Sequence, residues 1–112
     1  MNDKVRKHIQ RRRVQLLVHS YIYYEMDTNI VSDEQWAKWG IELEDLQDRY
    51  PEESVKAKYY EEFRNFDHST GADLDYFKPE IMIWALSLLG NALGEVTVRY
   101  LCGDDTILEE EK

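Results

Sequence analysis

A chain of 112 residues has room for one hydrophobic core and not for two. Its 43% apolar content is an ordinary globular level, while a net charge of −9 sets it against general attraction to nucleic-acid backbones. The single cysteine, Cys102, excludes an internal disulfide and reads as a buried structural thiol. The charged N-terminus and the lack of any apolar run of about 18 residues argue against a signal peptide or a membrane span, so a cytoplasmic protein is expected.

The charge is unevenly placed. Six of the fourteen Lys and Arg residues (Lys4, Arg6, Lys7, Arg11, Arg12, Arg13) fall in residues 1–13, beside one of the 23 acids. This basic arm reads as the solvated start of a helix, with contact to phosphates as the alternative.

In chain order, a first helix is predicted from about Lys4 to Met26. Val14, Leu17, Val18, Tyr21 and Tyr24 form its apolar face, and sparse apolar residues predict fraying in its first two turns. Asp27-Thr28-Asn29 is turn chemistry. Ser32 is then a predicted N-cap with Gln35 as its capping-box partner, and Asp33 and Glu34 suit the positive end of the dipole. Trp36, Trp39, Leu43, Leu46 and Tyr50 make the buried stripe of this second helix, which Pro51 stops. Gly40 lies inside it at a cost of about 1 kcal/mol relative to Ala, which close approach of another helix would explain.

A third helix is predicted from Glu52 to about Phe63, with Val55, Tyr59 and Phe63 facing inward. Asp67 to Gly71 reads as a loop in which Gly71 is free to take positive φ. Pro79 opens a fourth helix at its first position, burying Ile81, Trp84, Ala85, Leu88 and Ala92. Residues 95–102 fit a strand by alternation (Val96, Val98, Tyr100) and a helix by the spacing of Leu89, Leu93, Val96 and Tyr100. Helix is favoured, because a lone strand lacks a partner. Gly103-Asp104-Asp105 ends it, and an acidic tail follows. The expected fold is all-α: one domain, a compact bundle of about four helices.

The segment HSYIYYEMDTNIVSDEQWAKWGIELEDLQDRYP, residues 19–51, resembles the N-terminal Ia domain of NAD+-dependent DNA ligases. That family reads roughly H-x-Y-x-Y-(Y/H)-x-x-D-x-P-x-I-x-D-x-x-Y-D-x-L-x-x-E-L-x-x-L-E-x-x-(H/Y)-P. The match runs without a gap through His19, Tyr21, Tyr23, Tyr24, Asp27, Asp33, Leu43, Leu46 and Pro51. The stretch YYEEFRNFDHSTGADLDYFKPEIMIWALSLL looks like small stand-alone phage and prophage proteins that carry a ligase-like Ia segment.

The family likeness implies a helical hairpin that grips the nicotinamide mononucleotide (NMN) half of NAD+. By that likeness Tyr23, Tyr24, Asp33 and Trp36 would be the cofactor-binding residues. The chemistry is coherent: a cationic nicotinamide ring suits aromatic faces, and a carboxylate accepts from ribose hydroxyls. The chain also departs from the pattern. The family's Tyr-Asp pair is Trp36-Ala37, which removes one carboxylate, and the turn proline is Asn29. None of the 112 residues forms K-x-D-G, the lysine motif of covalent adenylation, so no catalytic residue is assigned and no enzymatic activity is expected.

Each site residue also has a purely structural reading. Tyr21 and Tyr24 would pack in the core with Tyr23 at its edge, Asp33 would serve the helix dipole, and Trp36 would begin the stripe. His8, His19 and His68 lack the spacing of a metal site, so no metal is expected. Glu42, Glu44, Asp45 and Asp48 form an acidic strip, read as a solvated face or as a decoy for nucleic acid. Three functions follow. The first expectation is a non-catalytic, phage-type protein that docks on a protein partner and inhibits a nucleic-acid-handling or defence enzyme, such as a CRISPR nuclease. The alternative is an NMN- or NAD+-binding accessory module. The third is a nucleic-acid accessory using the basic arm, which the overall charge disfavours.

Overall fold

The computed structural model describes residues 3–68 and 74–102, and these are helical with connecting turns and no strand. In chain order the elements are α1 (Asp3–Glu25), α2 (Asp33–Arg49), short α3 (Pro51–Lys56) and α4 (Tyr60–Phe63), α5 (Pro79–Leu89) and α6 (Glu95–Cys102). The all-α bundle is as expected, and residues 95–102 are helical. Gly71 and the chain after Cys102 lie outside the described residues.

Helix α1 is the axis of the bundle, with α2, α3, α5 and α6 packed around it. Residues 11–20 are buried on every side. The predicted face is only part of this: Val14, Leu17 and Val18 are buried, and so are Ile9, Leu16 and Ile22 on other faces. Ile9 is fully buried within the two turns expected to fray. A helix enclosed all round must find partners for every polar side chain it carries.

That requirement overturns the reading of the basic arm. Lys4 and Lys7 are exposed as expected, but Arg11, Arg12 and Arg13 are at most 1% exposed. Arg11 donates through Nε to the Tyr100 carbonyl (3.1 Å) and through Nη2 to that of Arg99 (3.0 Å). One turn on, Gln15 Nε2 donates to the Tyr100 carbonyl (2.8 Å), and a further turn on His19 Nε2 meets the Leu101 carbonyl at 2.7 Å. Arg11, Gln15 and His19 are thus a polar seam at four-residue spacing. They supply the donors that the last carbonyls of α6 lack within their own helix.

Arg13 does the same for the break between α3 and α4. Its guanidinium donates to the carbonyls of Ser54 (3.1 Å), Ala57 (3.0 Å) and Lys58 (3.1 Å), to Ser54 Oγ (2.7 Å) and to Gln47 Oε1 (2.8 Å). The continuous helix expected from Glu52 to Phe63 is interrupted there, because Tyr59 adopts φ 68°, a left-handed conformation that no α-helix continues through. Val55, predicted to face inward, is exposed, whereas Tyr59 and Phe63 are buried.

Arg12 joins α1 to α2. Its guanidinium lies 5.9 Å from the Trp39 ring centroid, and Nε donates to Glu42 Oε2 at 3.3 Å. His8 Nε2 lies 2.6 Å from the other oxygen of Glu42. The His8 hydrogen bond, with the nearby Arg12 charge, holds the Glu42 carboxyl down at about 2, against an ordinary 4.5. A carboxylate depressed on folding contributes stability that is present above its unfolded pKa and is lost as pH falls through the folded one. Acid unfolding between about pH 4.5 and 2 is therefore expected to shift when Glu42 is changed to Gln. Chemical denaturation at stepped pH checks this: the stability difference between the two proteins should shrink toward zero at the acid end.

Helix α2 begins as its sequence dictates, with Ser32 Oγ accepting from the Gln35 backbone N–H (3.0 Å). Trp39 and Leu43 are fully buried, and Trp36, Leu46 and Tyr50 pack at the edge of the core. In α5, Ile81, Ala85 and Leu88 are buried, Trp84 is half-buried, and Ala92 lies beyond the helix and exposed. Val96 in α6 faces out; its buried residue is Leu101. Cys102 is half-buried, and burial raises its thiol pKa. None of the described helices is long and apolar enough to cross a membrane.

Candidate functional site

The end of α1 is turned by Asp27, whose φ of 52° is left-handed, and Thr28 N–H closes the cap by donating to the Ile22 carbonyl (3.3 Å). This reversal brings the first turn of α2 back beside the last turn of α1. Between them lies a cavity of about 260 Å³, lined by His19, Tyr23, Tyr24, Asn29, Ile30, Val31, Asp33, Trp36, Ala37 and His68. All four residues singled out by the family likeness, Tyr23, Tyr24, Asp33 and Trp36, share this one cavity.

The structural reading of the tyrosines holds only for Tyr21. Tyr21 is half-buried and packs edge-on against Tyr76 and Phe77. Tyr23 and Tyr24 are 49% and 43% exposed, which removes Tyr24 from the core it was predicted to join. Their rings meet edge to face at 4.9 Å, and Tyr24 lies parallel to Tyr76 at 6.4 Å. Tyr76 is itself fixed by donating to Glu25 Oε2 (2.7 Å); burial and that bond push its phenol up to about 12. The outer wall of the cavity is therefore a braced aromatic ledge open to solvent.

Trp36 forms the facing wall. Its indole Nε1–H donates to Ser20 Oγ (3.2 Å), and its ring packs edge-on against Phe66 at 6.3 Å. Asp33 is exposed at the first position of α2. Ala37 stands half-buried in the lining, where the family pattern has an aspartate.

Two histidines of the lining were not assigned to the site from sequence. His68 arrives from the chain after α4, outside residues 19–51. Its backbone N–H donates to Glu44 Oε1 (3.0 Å), and its Nδ1 lies 2.5 Å from Glu44 Oε2. Gly40 admits it: a Cβ built there would sit 2.9 Å from His68 Cβ and 3.5 Å from the Phe66 ring. The close approach anticipated at Gly40 is thus real, but the neighbour is this loop and not a helix. Glu44, Asp67 and His68 bring potential metal-ligating atoms within 4.8 Å of one another, a grouping that sequence spacing concealed.

The acidic strip also changes character. Glu42 is committed to His8 and Arg12, and Glu44 to His68. Asp45 pairs with Arg49 one turn along (3.3 Å) and remains exposed with Asp48. Two of the four carboxylates therefore hold the fold together and do not present a uniform acidic face.

Fold and cavity together define a small all-α protein with an aromatic, acid-edged pocket between the ends of a helical hairpin. Over 75 residues, 60% of its length, the chain is 32% identical to a DNA ligase of Pseudothermotoga lettingae. Over 77 residues, 62% of its length, it is 26% identical to a DNA ligase of Fervidobacterium nodosum. The chain therefore carries a DNA-ligase-like segment, and it spans about a tenth of these relatives, 11% of each. No family model and no solved structure matches it.

Proposed function

We propose that this protein is a non-catalytic module that binds a pyridine mononucleotide, the NMN unit free or within NAD+, in the cavity between α1 and α2. The observation that carries the reading is the convergence of Tyr23, Tyr24, Asp33 and Trp36 on one cavity, at the positions the ligase likeness marks. A volume of about 260 Å³ lies just under the usual range for small-molecule sites. It suits one ring and its sugar better than a whole dinucleotide. The Tyr23–Tyr24 ledge and Trp36 offer aromatic faces to a cationic ring. Asp33 offers an acceptor to ribose hydroxyls, and the N–H groups at the start of α2 favour a phosphate.

Isothermal titration calorimetry with NMN and NAD+ tests this. Micromolar binding is expected, weakened about 10- to 100-fold by Asp33→Ala through loss of a charge-assisted hydrogen bond. Absence of heat for both ligands at millimolar concentration contradicts the reading.

A second reading has its own observation. Phe77, Ile83 and Leu86 are each more than half exposed, the last two one turn apart on α5, and none of them lines the cavity. Such a face suits a protein partner, and docking there to inhibit a nucleic-acid-handling or defence enzyme is the form this reading takes. It is supported if Ile83→Asp abolishes capture of a partner while NMN binding is unchanged. It fails if the same partner is retained by the variant.

A further inference from the structure

The side chains of His68 and Glu44 are 42% and 31% exposed, and Asp67, next to His68, is exposed, so all three are open to solvent. His68 Nδ1 and Glu44 Oε2 face each other at 2.5 Å, a separation that requires a shared positive centre, here a proton. No Lys or Arg among the described residues pairs with Glu44. Asp67 supplies a further donor atom, and the three atoms lie within 4.8 Å of one another. One proton bridges two acceptors. An imidazole with two carboxylates is instead a ligand set for a divalent transition-metal ion. Two features hold the set in place: the His68 backbone N–H donates to Glu44 Oε1 (3.0 Å), and Gly40 lets the loop close onto α2. The expectation of no metal weighed the spacing of histidines alone, whereas the partners of His68 are carboxylates, one of them on another element.

We propose that Glu44, Asp67 and His68 form a binding site for a divalent transition-metal ion of the Zn2+ type. The ion takes the place of the proton between His68 and Glu44, and that proton leaves to solvent. Zn2+ accepts mixed nitrogen and oxygen ligands in a shell of four, so three protein ligands leave a position for water. Mg2+ demands an octahedral shell of oxygens and is poorly served by this set. His68 lines the α1–α2 cavity, and Glu44 lines a polar groove beside α3 and α4, so the ion lies in the wall between the two. It ties the chain after α4 to the middle of α2. The site does not depend on what the α1–α2 cavity binds.

The test is calorimetry of the whole chain with Zn2+ and with Mg2+, alongside 15N NMR of the histidine rings. One Zn2+ is expected to bind per chain with micromolar affinity, and Mg2+ at least about 100-fold more weakly. The ring nitrogens of His68 should shift on saturation with Zn2+, while those of His8 and His19 stay in place. His68→Ala and Asp67→Asn should each weaken Zn2+ binding at least about tenfold, since even partners outside the coordination shell count for that much. Gly40→Ala keeps all three ligands but displaces the loop, and should weaken binding as well. Equal affinity for the two ions, shifts at His8 in place of His68, or Zn2+ binding undiminished in His68→Ala overturns the inference. Should the variants not fold, the Zn2+ to Mg2+ ratio and the His68 resonances of the wild-type protein still decide.

Discussion

Changing Arg13 to Ala is expected to cost about 3–5 kcal/mol, the range for stripping a partner from a buried charged network. The side chain is fully buried and its guanidinium serves three backbone carbonyls, a serine hydroxyl and Gln47. Removing it leaves the buried Ser54 and Ala57 carbonyls and the partly buried Lys58 carbonyl without those donors, at the point where Tyr59 breaks the helix. The buried guanidinium's own pKa falls to about 10 through desolvation, partly offset by Glu62 and Tyr60, so it stays charged at neutral pH. In a domain of this size the loss corresponds to a drop in melting temperature of about 15 °C or more. Arg13→Lys keeps the charge but not the fork and should recover less than about half of the stability. Equilibrium denaturation of the three proteins measures this. A loss under about 1 kcal/mol for Arg13→Ala would show that the carbonyls find other donors and that the arginine is dispensable.

Gly40→Ala should destabilise by about 1–3 kcal/mol, although alanine gains about 1 kcal/mol in helix propensity at the same position. The added methyl meets His68 Cβ at 2.9 Å, an atom attached to the loop backbone that a rotamer change does not move. The loop must shift, and the paired contacts of His68 with Glu44 go with it. The variant is thus expected to alter the cavity wall as well as the fold. The His68 ring and Glu44 side-chain resonances report the separation, and denaturation reports the cost. A variant more stable than wild type, with the His68 contacts intact, contradicts this account of Gly40.

Much of the fold was legible because its signals are local. Ser32 with Gln35, Pro79 at the first turn of α5, and the stripe from Trp36 to Tyr50 each depend on a few neighbouring residues, and the helices form where these predict. What failed was non-local. Nothing in the run Arg11-Arg12-Arg13 reveals that a helix will be enclosed on all sides, since an exposed basic arm has the same composition. The four-residue spacing of Arg11, Gln15 and His19 is the one local trace, a polar stripe on the helix that should have looked central. The break at Tyr59 had no signal, because neither glycine nor proline stands there.

The site was legible through likeness more than through chemistry. Tyr23, Tyr24, Asp33 and Trp36, marked by the ligase likeness, line one cavity, yet periodicity alone assigned Tyr24 to the core. It misled because α1 ends there and the ring stands beyond the packed region, beside Tyr76. His68 could not be anticipated, as it reaches the cavity from a separate loop across Gly40. His19 was visible as part of the pattern, but its hydrogen-bond partner is the carbonyl of Leu101, eighty-two residues further along the chain.

The most direct test of the central claim is a two-dimensional NMR titration of the 15N-labelled protein with NMN. The indole Nε1–H of Trp36 and the backbone amides of Tyr24, Asp33 and Ala37 should shift in a saturable way, while the α5 face of Ile83 and Leu86 stays unmoved. No shift up to millimolar NMN, or shifts confined to α5, would contradict a nucleotide site between α1 and α2.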